Sequence, residues 1–327
     1  MKTKTLMTNA GVVIVTHNSA EVIENCLDAL GNLPCIVVDN ASSDDSVALA
    51  SGRRGVTVIP NGENRGFAAA VNQGVALLDC ELVLILNPDT VLLTGLEPLA
   101  EACKRAGLAG GRLVDFAKRT QRGFTIRRFP TPWALAFETL GINRLWPGNP
   151  VNRRYRYLDR DLSAPGPAEQ PAGAFLMVRR DVWERVGGFD ERFFPVWFED
   201  VDFCLRAYQS GFSAYYVPEV MACHRGGHSV GQIPGSRAAL LWYVSLLRYA
   251  FKHFRMVRAR GVGIAVLLSA MPRAAIRAIL ERSLQPIWVH WKVVQLVCRC
   301  LFTGRAQQYG VAGADSQPRL SPLIGGR

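Results

Sequence analysis

Three carboxylic acids within four residues, Glu199, Asp200 and Asp202, are the side chains of this sequence best suited to chemistry. They follow a run of apolar and aromatic residues at 193–198, which predicts a partly dry environment around them. An ionised carboxylate is costly to desolvate unless a partner or a reaction requires it, and in such an environment it can serve as a general base. The alternative interpretation is a helix N-terminus, where acids stabilise the first turn.

The elements that must position these acids begin in the first 90 residues. Four apolar runs rich in β-branched residues predict buried parallel strands at 12–15, 35–38, 56–59 and 82–86. Helical patterns lie between them at 21–30, 43–53 and 68–78. This alternation predicts an α/β domain with a mostly parallel sheet flanked by helices. In such domains ligands lie beyond the carboxyl ends of the strands.

Polar residues follow each predicted strand. In strand order they are Thr16 and Asn18, Asp39, Arg65 and Gly66, and Asn87 and Asp89. Asp39 can accept a hydrogen bond from a base or a ribose, or it can cap the next turn. Asp89 can hold a hard divalent cation together with phosphate oxygens, or it can belong to a turn. The loop at 64–74 lacks the glycine spacing of a Walker A loop or a dinucleotide fingerprint, which argues against a Rossmann dehydrogenase.

Composition agrees with a cytoplasmic α/β protein. At 327 residues and 49% hydrophobic, the chain can bury one large core with an appendage. Its eight cysteines show no paired CxxC spacing, so neither a zinc site nor a disulfide framework is indicated, and a reducing compartment is favoured. Residues 1–9 are short and polar, and we expect no signal peptide there.

The positive charge is concentrated in the last quarter of the chain. Residues 237–327 hold 14 basic and 2 acidic residues, a net of +12, whereas residues 1–236 hold 24 basic and 25 acidic residues, a net of −1. Three segments there have helical periodicity, with aromatic and aliphatic residues opposite a polar stripe. The three stripes are Arg248, Lys252, Arg255 and Arg258; Ser269, Arg273, Arg277 and Glu281; and Gln285, Lys292, Gln295 and Arg299.

These segments favour amphipathic helices lying on an anionic membrane surface. None shows the long uncharged run that a spanning helix needs. The alternatives are packing on the first domain, packing on a second subunit in a homo-oligomer, and nucleic-acid binding, against which the many large apolar residues argue. We therefore expect a domain at 1–236, an amphipathic membrane-surface region at 237–305 and a flexible tail at 306–327.

Ordered motifs at 12–18, 37–42, 64–67, 87–89, 173–180, 187–190, 198–202 and 224–227 cover residues 10 to 235. Together they resemble the family 2 inverting glycosyltransferases, and more narrowly the bacterial rhamnosyltransferase-like branch. The resemblance implies a GT-A fold, a nucleotide-sugar donor, a divalent metal (Mg²⁺ or Mn²⁺) and a single displacement at the sugar carbon.

The resemblance also implies roles for matching residues. Asp89 lies where the family has its DxD-type motif, and His224 would complete the metal site. Asn87 replaces the first acid of that motif and leaves less negative charge around the cation. Asp200 would be the base that deprotonates the acceptor, while His228 has no assigned role. The residues implied for the donor nucleotide are Thr16, Asn18, Asp39, Arg65, Gly66 and Asn87.

The acceptor side is less defined. Trp197 can stack on a sugar or belong to the core, Glu199 lies beside the base, and Asp202 can contact the acceptor or pair with Arg206 one helical turn later. Residues 115–170 form an irregular insertion rich in arginine. Arg127 and Arg128 are its candidates for contacting the diphosphate of a lipid-linked acceptor, the alternative being a solvated surface insertion.

The sequence therefore predicts a peripheral enzyme at the inner face of the cell membrane. It would transfer L-rhamnose from dTDP-L-rhamnose to a lipid-linked glycan in cell-envelope polysaccharide synthesis. One alternative is the same fold with a UDP-hexose or UDP-galactofuranose donor. Another is a non-catalytic nucleotide-binding or membrane-docking subunit, against which the intact set Asp89, Asp200 and His224 argues.

Overall fold

The structure of the protein is a computed structural model that describes residues 9–233, 235–304 and 306. The tail predicted at 306–327 lies outside these ranges apart from residue 306. The strands are β1 Ala10–Thr16, β2 Cys35–Asn40, β3 Val56–Asn61, β4 Leu82–Leu86, β5 Thr90–Leu92, β6 Gly107–Val114, β7 Ile126–Arg127, β8 Gly166–Ala168, β9 Gln170–Pro171, β10 Phe175–Arg179 and β11 Ser213–His224. The helices are α1 Ala20–Asp28, α2 Ser46–Ser51, α3 Phe67–Leu77, α4 Glu97–Ala106, α5 Pro132–Leu140, α6 Ile142–Leu145, α7 Pro150–Tyr155, α8 Arg180–Val186, α9 Glu199–Gln209, α10 His228–Gly231, α11 Gly235–His253, α12 Met256–Glu281 and α13 Gln285–Thr303.

One mixed sheet organises these elements, in the strand order β3-β2-β1-β4-β10-β6-β11-β5, with β8 paired to β11. The first four strands are mutually parallel, so their carboxyl ends meet at one edge of the sheet. β10 then runs antiparallel between β4 and β6, and β11 runs parallel to β6. The strands and helices predicted for the first 90 residues are present, and the mostly parallel GT-A architecture is confirmed.

Helices cover both faces of the sheet, which explains why the parallel strands are apolar throughout. In β1, Val12 and Ile14 face the core formed with α1 and α4, whereas Val13 and Val15 face the core formed with α3, α8 and α9. Every residue of β1, β2 and β4 is buried. Alternate side chains of a strand point to opposite faces, so a sheet covered on both sides selects continuous β-branched runs.

We expected the segment 115–170 to be irregular, and this expectation is wrong. The segment holds β7, β8, the start of β9 and the short helices α5 to α7. Side chains cap two of these helices. Thr131 Oγ1 accepts a hydrogen bond from Ala134 N at 3.1 Å, and Asn149 Oδ1 accepts one from Asn152 N at 2.8 Å. A proline follows each cap, where its fixed φ suits the first helical position and its missing N–H costs nothing.

Helix α11 packs against the first domain and carries only Arg248 and Lys252 of the first predicted stripe, because it ends at His253. Arg255 and Arg258 lie beyond its end and are exposed. Arg248 is buried, and Lys252 is half-buried and ion-paired with Asp190 and Asp202. Apolar residues instead remain exposed on α12 and α13. These are Val257, Ile264, Leu268, Ile276, Ile279, Leu280, Ile287, Trp288, Trp291 and Phe302. The packing alternative thus describes α11, and exposed apolar surface is a property of the two helices that follow.

Helix α12 corrects a second expectation. By length and composition, Met256–Glu281 is long and apolar enough to cross a membrane, although we expected no such helix. A helix buried in a protein core can pass the same test. One side of α12 is in fact buried, since Val262, Val266 and Ala270 pack with residues of α11 and α13.

Asp202 joins α9 to α11 through an ion-pair network. Its fully buried carboxylate accepts hydrogen bonds from Arg206 Nε at 2.7 Å and His253 Nε2 at 2.7 Å, and it lies 2.5 Å from Lys252 Nζ. Burial alone would raise the pKa of Asp202, but the hydrogen bond from His253 and the charges of Arg206 and Lys252 outweigh it and lower the pKa. Asp202 therefore holds the first turn of α9 against the C-terminal helix α11.

Replacing this carboxylate should strongly destabilise the protein. In Asp202→Asn the cations around the site lose a charged partner in a buried environment, and removing one member of a buried pair costs about 3–5 kcal/mol. We expect the free energy of unfolding, measured by urea titration, to fall by that amount. The matched control is Glu21→Gln, which breaks the exposed pair with Arg225 and should cost less than about 1 kcal/mol.

The stability difference between wild type and Asp202→Asn should depend on pH. Because the pKa of Asp202 is lowered, its stabilising contribution is complete above the ordinary aspartate value of about 3.9 and is lost as the pH falls through the lowered pKa. The stability gap between wild type and Asp202→Asn should be constant from about pH 7 to about pH 5 and narrow below about pH 4. Equal stabilities at neutral pH would contradict the proposed link between α9 and α11.

Candidate active site

A cavity of about 1370 Å³ lies at the carboxyl ends of the parallel strands, and its wall continues onto α11. Sites for one small molecule usually measure about 300–1,000 Å³, so this cavity has room for two ligands. Its lining includes Asp89, Glu199, Asp200 and His224. The fold thus brings together the acids and the histidine that the sequence analysis selected from distant positions.

Strand pairing brings Asp89 to His224. After β4 the chain turns through residues 87–89, and β5 pairs antiparallel with the end of β11 so that Thr90 lies opposite His224. Asp89 Oδ2 accepts a hydrogen bond from Gly226 N at 3.1 Å, and Asp89 Oδ1 lies 3.5 Å from His224 Nε2. Both side chains are buried. The two residues form a fixed pair at the edge of the cavity.

Gln121 fixes the tautomer of His224. Its Nε2 donates to the His224 carbonyl oxygen at 2.7 Å, so its Oε1 is the acceptor that lies 3.0 Å from His224 Nδ1. The proton of the neutral ring therefore sits on Nδ1. Burial lowers the pKa of His224, although the charge of Asp89 opposes that shift, and Phe124 stacks on the ring at 5.0 Å. The Nε2 lone pair consequently faces the Asp89 carboxylate.

This donor pair suits a divalent cation. A neutral imidazole nitrogen and a carboxylate oxygen 3.5 Å apart share no proton, and both are ordinary metal ligands. Within residues 9–233, 235–304 and 306, no group of three His, Cys, Asp or Glu side chains could hold an ion. Asp89 and His224 would thus supply two protein ligands, a number typical of sites that substrate phosphates complete. Asn87 also lines the cavity beside them.

Asp200 lies half-buried at the start of α9, on the cavity wall. Its Oδ2 accepts hydrogen bonds from Gly173 N at 2.9 Å and from Gln170 Nε2 at 3.1 Å. Burial raises the pKa of Asp200, while N–H donors of Gly173 and Val201 and the charge of Arg127 oppose part of that rise. The carboxylate is therefore oriented by its neighbours, open to the cavity and more basic than an ordinary aspartate.

Glu199, next to Asp200, is more deeply buried and less well hydrogen-bonded. It is 4% exposed, and its Oε2 has no hydrogen-bond partner among the described residues. Burial, followed by the charge of Asp200, raises the pKa of Glu199 well above its usual range. A neutral carboxylic acid can donate a hydrogen bond but is a poor base. Of the two adjacent acids, Asp200 is thus the one equipped to accept a proton.

The loop at 193–198, which precedes these acids, packs against the residues after β3. Phe67 N donates to the Pro195 carbonyl oxygen at 2.7 Å. A Cβ on Gly66 would approach Phe194 Cδ2 to 2.8 Å, and Gly66 has a φ of +81°. Gly66 is therefore required for packing under the loop, a role different from the expected contact with the donor. Trp197, also at positive φ, lines the cavity half-buried, where it can meet a sugar face.

Four of the six residues predicted to bind the nucleotide divide into two groups. Thr16 and Asn87 belong to the cavity wall, where Asn87 is half-buried and Thr16 is fully buried. Asp39 is buried behind Thr16 and accepts hydrogen bonds from Thr16 Oγ1 at 2.7 Å and Ser42 N at 2.9 Å. Asn18 Oδ1 accepts a hydrogen bond from Ser43 N, and so it orders the same loop. Asp39 and Asn18 therefore shape the rim of the site through their neighbours.

Three predicted site residues are engaged elsewhere. Arg65 is exposed and donates to Gln73, and it does not line the cavity. Arg128 forms an ion pair with Asp159 at 3.0 Å and stacks over Tyr157, so its guanidinium is directed away from the cavity. The third residue is Asp202, whose carboxylate is committed to the ion-pair network described above. By contrast, Arg127 does line the cavity.

Several contacts were not anticipated from the sequence. Gln121 contacts His224, and Gln170 and Gly173 hold Asp200; of these three residues only Gly173 lies in one of the ordered sequence motifs. A Cβ at Gly173 would lie 3.0 Å from Asp200 Cβ, so the glycine permits the close approach. His228, which had no assigned role, has its Nε2 2.9 Å from the Asn18 carbonyl oxygen and lies over the loop after β1. No periodicity or spacing marks the two glutamines.

Comparison with known proteins identifies the family of the chain. The family description "Glycosyl transferase family 2" matches residues 11–187, and "Glycosyl transferase family group 2" matches residues 156–303. N-acetylglucosaminyl-diphospho-decaprenol L-rhamnosyltransferase of Mycobacterium tuberculosis is 29% identical over 305 residues, which cover 84% of this chain and 96% of the relative. Rhamnosyltransferase WbbL of Escherichia coli is 27% identical over 234 residues, which cover 66% of this chain and 83% of the relative.

Solved structures also align over most of the chain. Mannosyltransferase PcManGT from Pyrobaculum calidifontis, in complex with GDP-Man and Mn²⁺, is 18% identical, with 90% of this chain and 87% of that chain covered and a TM-score of 0.48. S. aureus TarS 1-349 is 13% identical, with 91% and 92% covered and a TM-score of 0.47.

Proposed function

The chain belongs to glycosyl transferase family 2, and from that premise we propose that it transfers L-rhamnose from dTDP-L-rhamnose to a hydroxyl of a sugar carried on a polyprenyl diphosphate. The names of its relatives support this donor sugar and this class of acceptor. The observation that carries the proposal is the oriented, cavity-facing Asp200 in the same cavity as the Asp89–His224 pair. A UDP-hexose or UDP-galactofuranose donor is the alternative for the same site.

Asp200 would act as the general base of an inverting displacement. Its carboxylate accepts the proton of the acceptor hydroxyl while that oxygen bonds to the anomeric carbon. The bond from this carbon to the nucleoside diphosphate breaks, and the electron pair leaves on the diphosphate oxygen. Gly173 and Gln170 hold the carboxylate in place throughout, and neutral Glu199 can donate a hydrogen bond to the acceptor.

Asp89 and His224 would hold a divalent metal with the diphosphate of the donor. When bound, Mg²⁺ or Mn²⁺ neutralises the charge that develops on the leaving diphosphate. Asp89 contributes a carboxylate fixed by Gly226 N, and His224 contributes the Nε2 lone pair that Gln121 keeps free. Thr16 and Asn87 line the cavity on the same side and are the proposed contacts of the nucleotide.

We also propose that the protein lies peripherally on the inner face of an anionic membrane, through α12 and α13. Their exposed apolar residues include Leu280 and Trp288, which are 77% and 69% exposed. The helices belong to the segment that carries the net positive charge of the chain. Helix α5 lies beside α12, since Arg273 Nη2 donates to the Glu138 carbonyl oxygen at 3.3 Å. The insertion would thus reach the same surface.

Asp200→Asn should abolish sugar transfer without preventing nucleotide binding. Loss of a general base typically costs 10²–10⁴-fold in rate, so we expect kcat to fall by about 10³-fold. Glu199→Gln is the matched comparison, because an amide replaces an acid that is already neutral, and its loss should be at least about 10-fold smaller. A larger loss in Glu199→Gln than in Asp200→Asn would transfer the role of base to Glu199.

The same assay gives the pH dependence. The unprotonated form of Asp200 is the active one, and its pKa is raised. The rate should therefore fall on acidification, with the acid limb of kcat/KM above the ordinary aspartate value of about 3.9.

Metal use is tested by binding as well as by turnover. Mn²⁺ binding in the presence of dTDP, followed by electron paramagnetic resonance, should weaken at least about 10-fold in Asp89→Asn, and also in Gln121→Leu, which releases the tautomer of His224. Nucleotide release from dTDP-rhamnose, with the polyprenyl acceptor present, should need Mg²⁺ or Mn²⁺ and stop in EDTA. Release from a UDP-sugar instead would overturn the donor and leave the metal and the base in place.

Membrane attachment predicts co-sedimentation with vesicles that contain anionic lipid. The double variant Leu280→Ser, Trp288→Ser removes two large apolar side chains from this surface. It should bind the vesicles about 10-fold or more weakly than wild type does. Leu77→Ser is the control, since Leu77 is 54% exposed but lies on α3 of the first domain. Equal binding of all three proteins would contradict the proposed membrane surface.

A further inference from the structure

Arg248 is a buried cation that forms no ion pair with any residue that the structure describes. It is 6% exposed, and among the described residues its Nη1 has no hydrogen-bond partner. Its guanidinium lies 5.9 Å from the centre of the Phe193 ring. Burial lowers the pKa of Arg248, but an arginine remains charged at neutral pH. Burying an unpaired charge is costly, so its retention points to a partner that the chain itself does not supply.

The acidic residue whose charge acts on Arg248 is Asp190, and its carboxylate is already paired with other cations. Asp190 accepts hydrogen bonds from Arg192 Nη2 and Lys252 Nζ, both at 2.6 Å. Lys252 lies one helical turn after Arg248 and is also 2.5 Å from Asp202. Of these two cations on α11, Lys252 is neutralised within the fold, whereas Arg248 lines the cavity. The contrast separates a structural cation from one available to a ligand.

Helix α11 also presents apolar side chains to the cavity next to Arg248. Leu241, Val244 and Arg248 all line the cavity, and their spacings of three and four residues place them on one face of α11. The stripe from residue 241 to residue 248 extends about 10 Å along the helix axis. A ligand with an anionic group followed by a hydrocarbon chain matches this order of surface.

We infer that Arg248 forms the subsite for the diphosphate of the lipid-linked acceptor, with Leu241 and Val244 contacting the first part of its hydrocarbon chain. This inference rests on the proposed function. A guanidinium matches two phosphate oxygens at once, which makes arginine suited to this contact. The acceptor is favoured over the donor because Phe193, against which Arg248 packs, begins the segment 193–198 that leads directly into Glu199 and Asp200 of α9. The proposed donor contacts lie at the strand ends.

The test measures binding of farnesyl diphosphate to the full-length protein by calorimetry, with saturating dTDP and Mg²⁺ filling the donor site. Arg248→Met keeps the bulk of the side chain and removes its charge. We expect its affinity for farnesyl diphosphate to fall at least about 30-fold, with the affinities for farnesol and for dTDP unchanged. Arg260→Met is the control, since Arg260 is exposed on α12 outside the cavity lining, and it should bind all three as wild type does.

Stability separates a ligand subsite from a structural role. Removing an unpaired buried charge should leave the melting temperature of Arg248→Met equal to or above that of wild type. A lower melting temperature with unchanged affinity for farnesyl diphosphate would overturn the inference. A loss of dTDP affinity would also overturn it, by placing Arg248 at the donor diphosphate.

Turnover distinguishes this inference from the proposed function. With a farnesyl-diphosphate-linked N-acetylglucosamine as acceptor, Arg248→Met should raise the acceptor KM at least about 30-fold and leave the KM for the donor unchanged. If the wild type binds farnesyl diphosphate through Arg248 but transfers no sugar to this acceptor, the proposed function fails and the subsite stands. Transfer with an unchanged acceptor KM in the variant would leave the function and remove the subsite.

Discussion

Three carboxyl groups in the first turn of α9 share one poorly solvated region, and the geometry of the site depends on how the fold stabilises each of them. Among the described residues Glu199 has no partner for its Oε2, and burial raises its pKa well above the usual range. Asp202 is surrounded by cations from α9 and α11. Asp200 receives N–H donors from the segment before β10 and stays open to the cavity. Acids this close could not all be ionised without such different environments, and of the three Asp200 alone combines charge with access.

This arrangement makes α11 part of the site. The partners of Asp202 from outside α9 are Lys252 Nζ and His253 Nε2, at the end of α11. Ser245 Oγ donates to the Val196 carbonyl oxygen at 3.2 Å, within the loop before the acids. Residue 236, taken from the charge pattern as a domain boundary, therefore marks a change in composition within a single packed unit. The base and the helix that supports it depend on each other for their burial.

The sequence was sufficient for the elements whose signals are local. Continuous β-branched runs predicted β1 to β4, and the motifs around Asp89, Asp200 and His224 placed these residues in one site. The partners of these residues could not be predicted, because Gln121 and Gln170 reach them through tertiary contacts that no spacing encodes. The insertion at 115–170 did contain usable signals, since a capping residue followed by proline begins both α5 and α7.

The C-terminal helices show why a charge stripe does not define an environment. A basic face has the same periodicity whether it meets lipid headgroups or acids of a neighbouring domain, because periodicity gives the angle around a helix and not the surface it contacts. The two members of the stripe on α11 face inward, where Lys252 pairs with Asp190 and Asp202 and Arg248 lines the cavity, whereas Arg255 and Arg258 beyond the helix are exposed. Since α12 and α13 keep apolar residues exposed, the lipid-linked substrate that we propose would meet a cation on α11 and apolar surface on the two helices that follow.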